Sequence, residues 1–89
     1  ISVTANVAPR LMHELCDAAL AGGARRATEL HLKLLPLHKQ LFCEPSPAPS
    51  KWALSQLGRC RPTLRLPLVE MTEAGKATVA AALAECGIA

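Results

Sequence analysis

Two periods run along the polar and apolar positions of this chain. From residue 1 to 6, Ile-Ser-Val-Thr-Ala-Asn alternates apolar Ile1, Val3 and Ala5 with polar Ser2, Thr4 and Asn6. That is the period of a strand with two unlike faces. A lone strand cannot satisfy its own backbone donors and acceptors, so this one is expected to pair with strands outside the chain. After it the period lengthens. Pro9 suits the first turn of a helix, where its missing N–H costs nothing. Leu11, Met12, Leu15, Cys16 and Ala19 then form one stripe, opposite Arg10, His13, Glu14 and Asp17. Gly22 and Gly23 end this helix. A second helix carries Ala27, Leu30, Leu34, Leu37 and Leu41 on one face, with Glu29 and Lys33 placed as an i, i+4 ion pair. Pro36 removes one hydrogen bond from it, but the leucine stripe stays in phase across the proline, which predicts a kink and not a break.

Prolines at 45, 47 and 49 push the residue before each out of the helical region, so Cys43 to Pro49 is expected to be an extended, stiff connector. The spacing contains no PxxP, which argues against a polyproline ligand. Pro49 opens a short helix, Ser50 to Leu57, carrying Trp52 and Ala53 inward and closed by Gly58. Residues 59 to 71 are irregular, with Leu64, Leu66 and Leu68 alternating around Arg65 and Pro67 and expected to pin the leucines beneath them. Thr72 is a good N-cap, with Glu73 at the positive end of the following helix. Val79, Ala82, Leu83 and Cys86 make that helix's buried stripe, and Gly87 stops it.

Composition narrows the fold to mainly α. Sixteen Ala and fifteen Leu stand against eleven β-branched residues, and Phe42 and Trp52 are the only aromatics, so the core must be aliphatic. A chain of 89 residues is one domain at most, and it buries too little surface to be secure without another segment or subunit over it. Ten basic and seven acidic residues leave a net charge of +3. The basic residues are scattered, and the densest group, Arg59, Arg61 and Arg65, has no aromatic platform beside it, so nucleic acid is not an expected partner. The longest charge-free stretch, Ile1 to Pro9, is too short to cross a bilayer. The chain opens on Ile1 without a basic region and apolar run, which reads as a fragment or a processed piece.

The candidate chemistry is thin. Cys16, Cys43, Cys60 and Cys86 lie 27, 17 and 26 residues apart and form no CxxC, so reduced thiols in a cytoplasmic protein are expected. His31 and His38 share a helix face, but two turns separate them by about 10 Å, too far for one metal ion. No metal or cofactor is expected.

Several phrases, taken together and in order, resemble one family: Ile1-Ser-Val-Thr-Ala-Asn6, Leu34-Leu-Pro-Leu-His38 with Leu41-Phe42, Glu44-Pro-Ser-Pro-Ala-Pro-Ser-Lys-Trp-Ala-Leu54, Leu64-Arg-Leu-Pro-Leu68 and Thr72-Glu-Ala-Gly75. In this spacing they resemble the C-terminal end of the 4-hydroxy-tetrahydrodipicolinate synthase (dihydrodipicolinate synthase) family, over essentially the whole chain. The resemblance implies that residues 1–22 are the last βα unit of a (β/α)8 TIM barrel and residues 23–89 a C-terminal helical subdomain, roughly the last third of a barrel enzyme of about 250 residues or more. It also implies a pyruvate-dependent class I aldolase that condenses pyruvate with aspartate semialdehyde through a lysine Schiff base, a step of lysine and diaminopimelate biosynthesis. The partners implied are the rest of the barrel and further subunits of a homo-oligomer. Ser46, Ser50, Cys43 and Glu70 depart from the family's usual residues, and none of them belongs to its chemistry.

The family's Schiff-base lysine and tyrosines have no counterpart here. Tyrosine is absent, and Lys33, Lys39, Lys51 and Lys76 fall on helix exteriors or beside the proline connector, where the amine stays protonated. The chain alone is expected to be inactive, completing the barrel and supporting its quaternary structure. Barrel active sites lie at the C-terminal ends of the strands, so Thr4 and Asn6 are the candidate edge of the substrate pocket, with Asn6 as a helix or turn cap the competing reading. The alternative to an aldolase fragment is a free-standing helical interaction module without catalysis.

Overall fold

Helices form wherever a three-to-four period brings aliphatic residues onto one face, and the described residues, 1–88, contain five of them and no strand. In this computed structural model they are α1 (Thr4–Val7), α2 (Pro9–Leu20), α3 (Ala24–Gln40), α4 (Ala48–Gln56) and α5 (Glu73–Glu85).

The expected strand over residues 1 to 6 is corrected to a single helical turn. Thr4, Val7 and Ala8 are buried, a spacing of three and one that suits a helix and not alternation. The backbone donors find local acceptors: Ala5 N–H reaches Ser2 Oγ at 3.2 Å, Asn6 N–H reaches Val3 O at 3.1 Å and Ala8 N–H reaches Thr4 O at 2.8 Å. No neighbouring strand is needed for these groups.

α2 and α3 pack as a hairpin joined at Gly22 and Gly23. Gly22 adopts φ +79°, and Gly22 N–H bonds Ala19 O while Gly23 N–H bonds Ala18 O at 2.7 Å, the paired bonds that close a helix through a left-handed residue. The same pair of bonds ends α4 at Gly58 and α5 at Gly87. On α2, Leu11, Met12 and Leu15 pack against the core as expected, but Cys16 is exposed and Ala19 with it. The far end of this helix runs past the core, where Leu20 is 88% exposed, and the molecule is correspondingly elongated, 43 × 21 × 21 Å.

α3 runs unbroken through Pro36, and Leu30, Leu34, Leu37 and Leu41 are all buried. Leu34, Leu37 and Leu41 share a core with Val79, Ala82 and Leu83 of α5 and its C-cap Cys86, a stripe that is buried as the sequence predicts. Glu29 pairs with Arg26 at 3.9 Å and not with Lys33, and Arg26 also reaches Glu14 across the hairpin at 3.8 Å. The guanidinium can lie between two carboxylates, which an outward-pointing lysine cannot do.

The proline connector is bent, not extended. Ala48 N–H bonds Pro45 O at 3.1 Å, so the chain turns and α4 begins two residues earlier than the sequence suggests. Ala53 is fully buried, whereas Trp52 is only half-buried against the core. Phe42 is 60% exposed, so neither aromatic is at the centre and the interior is aliphatic. In the irregular segment Leu64 and Leu68 are half-buried while Leu66 is 84% exposed.

Candidate functional site

Two side-chain clusters tie distant parts of the chain together, and both use a threonine. Thr4, only 2% exposed, has its hydroxyl 2.8 Å from Nδ1 of His38. This bond links α1 to the last two turns of α3, across 34 residues. His38 in turn lies over His31, with ring centroids 5.3 Å apart and planes 27° from parallel. Spacing along the helix axis predicts a wider gap, but imidazoles two turns apart can lean toward one another. Burial, and then the neighbouring His31, hold His38 below the usual histidine pKa. Asn6, by contrast, stands on the surface and donates from Nδ2 to Val3 O at 3.2 Å. It does not cap α2, whose N-cap is Ala8. Asn6 also borders a hollow of about 210 Å³ walled by Val7, Leu54, Leu57 and Arg59. The structure therefore does not join the two residues into one constellation: Thr4 turns toward α3 and Asn6 toward solvent.

The second cluster is a clamp on α5. Thr72 caps the helix by accepting Gly75 N–H at 3.1 Å, and the Glu44 carboxylate accepts both the Thr72 backbone N–H at 3.2 Å and the Thr72 hydroxyl. The carboxylate lies so close to Gly75 that a Cβ there would be 1.9 Å from Glu44 Oε2. Nothing in the sequence could pair residues 44 and 72. The Thr4–His38 bond left a fainter trace, a threonine and a histidine among apolar neighbours.

The lysines offer no desolvated amine. Lys33 and Lys39 are exposed, Lys51 donates to Thr63 O at 2.6 Å, and Lys76 pairs with Glu73 at 3.4 Å. A nucleophilic amine is one held away from water, and Lys33 and Lys39 stand in it while Lys51 and Lys76 are tied to oxygen partners. All four cysteines are free; Cys86 is buried, and that burial pushes its thiol pKa up. Among the described residues no three His, Cys, Asp or Glu side chains converge on a metal position. No helix among them is long and apolar enough to cross a membrane. A groove of about 520 Å³, open to solvent, runs between α3 and α5 and is lined by Leu32, Leu35, Pro36 and Thr78 together with Lys39 and Glu85. It has no buried nucleophile.

Against known proteins, residues 1–86 match the dihydrodipicolinate synthetase family. The chain is 60% identical over 88 residues to a 4-hydroxy-tetrahydrodipicolinate synthase of Methylibium petroleiphilum, covering 99% of this chain and 30% of that protein. It is 54% identical over 87 residues to the enzyme of that name from Neisseria meningitidis, again covering 30% of it. Its backbone superposes on the solved dihydrodipicolinate synthase of Thermotoga maritima with a TM-score of 0.95 at 43% identity, over 100% of this chain and 30% of that one. The Acinetobacter baumannii enzyme, solved as a complex with pyruvate, gives 0.94 at 43% identity, over 100% of this chain and 31% of that one. The chain thus spans about 30% of the length of these relatives.

Proposed function

This chain belongs to the dihydrodipicolinate synthetase family, and from that premise we propose that it is the C-terminal portion of a 4-hydroxy-tetrahydrodipicolinate synthase. In this reading the complete enzyme condenses pyruvate with aspartate semialdehyde in the cytoplasm, and this portion completes the barrel and supports the homo-oligomer without supplying the Schiff-base lysine. The observation that carries the reading is the superposition of the whole helical chain on solved synthases. Residues 1–22 would then belong to the last βα unit of the barrel, contributing the turn α1 and the helix α2, and residues 23–89 would be the helical subdomain. Thr4 and Asn6, on the turn α1, would lie at the edge of the pyruvate pocket, on the face of the barrel where such enzymes build their sites. Since Thr4 is buried with its hydroxyl held by His38, Thr4 would support the pocket edge from behind, while Asn6, on the surface, would face the pocket.

The apolar side chains left in water fit a piece that has neighbours. Ile1, Leu20 and Leu32 are exposed at one end of the chain and along the α2–α3 hairpin. Surfaces of that kind commonly mark contacts with other segments or subunits.

The test is a transplant. The chain replaces the matching last 30% of the Methylibium petroleiphilum synthase, and condensation is followed together with borohydride trapping of pyruvate. The fusion should turn over and trap pyruvate on a lysine outside these 89 residues, and the chain alone should do neither. A folded but inactive fusion, or a trapped adduct on Lys33, Lys39, Lys51 or Lys76, would refute the proposal.

A further inference from the structure

The polar link between α1 and α3 meets the chain at the residue read above as the edge of the pocket. Thr4 is 98% buried by its 2% exposure, so its hydroxyl is cut off from water and depends on one partner, Nδ1 of His38 at 2.8 Å. The other contacts that seat α1, against α2 and α4 and through Val7 and Ala8 in the aliphatic core, are apolar and carry little direction. A hydrogen bond is directional and fixes both distance and angle. His38 itself is held on α3 by the stacked His31 ring, and α1 presents no titratable side chain to it.

We propose that His38 is a positioning residue for the pyruvate pocket: through Thr4 it fixes the turn at residues 4–6, so that the longest helix of the subdomain sets the pocket edge from behind. This rests on the reading of Thr4 and Asn6 as that edge. It assigns α3 a part in substrate binding that no contact between α3 and substrate is needed to explain.

The test uses the transplanted full-length enzyme. His38→Leu should raise the KM for pyruvate about ten-fold, the weight of one directed hydrogen bond, with kcat changed less than three-fold. His38→Asn places an amide near the Nδ1 position and should return KM to within two-fold of the parent. In a Thr4→Val background, His38→Leu should add less than two-fold. Should His38→Leu fail to fold, His38→Ala carries the same decision against His38→Asn, the first raising KM about ten-fold and the second returning it to within two-fold. An unmoved KM in His38→Leu, equal losses in the Leu and Asn variants, or a full His38→Leu effect in the Thr4→Val background would overturn the inference and leave the aldolase reading standing. An inactive unsubstituted fusion would overturn both.

Discussion

Replacing Gly75 by alanine sets two opposing terms against each other. Gly75 is the third residue of α5, and glycine in a helix is less favourable than alanine by about 1 kcal/mol, so propensity alone predicts a gain. The new Cβ, however, would be 1.9 Å from Glu44 Oε2 and 2.9 Å from Met71 Cε. The methionine end can yield, because it is flexible. The carboxylate must swing away, and with it go its bonds to the backbone N–H and the hydroxyl of Thr72. Bonds to a charged acceptor are worth about 1.5–3 kcal/mol each when buried. Glu44 is only half-buried, so about 1 kcal/mol each is the fitting figure, with about 0.5 kcal/mol more for a negative charge at the helix N-terminus. The clamp outweighs propensity, and Gly75→Ala should destabilise the chain by about 1.5 kcal/mol. Urea unfolding followed by Trp52 fluorescence should show the midpoint falling by about 1 M, given a slope of about 1–1.5 kcal/mol/M for so small a chain. In a Glu44→Ala background the obstruction is gone, and the same substitution should become stabilising by up to about 1 kcal/mol. A midpoint that is unchanged or raised in the parent background, or the same loss in both backgrounds, would refute the clamp as the reason for glycine at 75.

Four further outcomes follow from the packing. Ser50 Oγ is buried without a partner, the residue being 6% exposed, so Ser50→Ala should raise stability by about 1 kcal/mol in the same titration. Leu34→Ala should cost about 3–4 kcal/mol, because Leu34 is fully buried, and Trp52→Ala should cost less than that despite its larger side chain, because Trp52 is only partly buried at the border of the core. The folded chain resists protonation of His38 and the unfolded chain does not, so stability should be full above the ordinary histidine pKa near 6.5 and fall as pH drops below it; His38→Asn should flatten that part of the profile. Native alkylation should label Cys16 and Cys60 first and Cys43 more slowly, its thiol raised by burial and by Glu44, while Cys86 should react only after denaturation.

Sequence alone determined the elements whose stability is local. The leucines of α3 repeat in phase through Pro36, the stripe of α5 runs from Val79 to Cys86, Thr72 caps, and a glycine follows each of α2, α4 and α5; each of these depends on residues within a turn or two. The phrases from Leu34 to His38 and from Glu44 to Leu54 were likewise enough to suggest the family. What the sequence could not decide depends on partners far along the chain or on choices between equal local patterns. Ile1 to Asn6 alternates well enough for a strand, and the helical turn prevails because Thr4, Val7 and Ala8 enter the core on one side. Three prolines imply an extended connector, yet the segment bends where Glu44 reaches Thr72, 28 residues on. Trp52 and Phe42 look like core residues by type, but the α3–α5 seam is filled by leucine, valine and alanine and leaves the aromatics at its border. The bond between Thr4 and His38 belongs to the same class: a buried hydroxyl must have a partner, and only the tertiary structure decides which of three histidines supplies it.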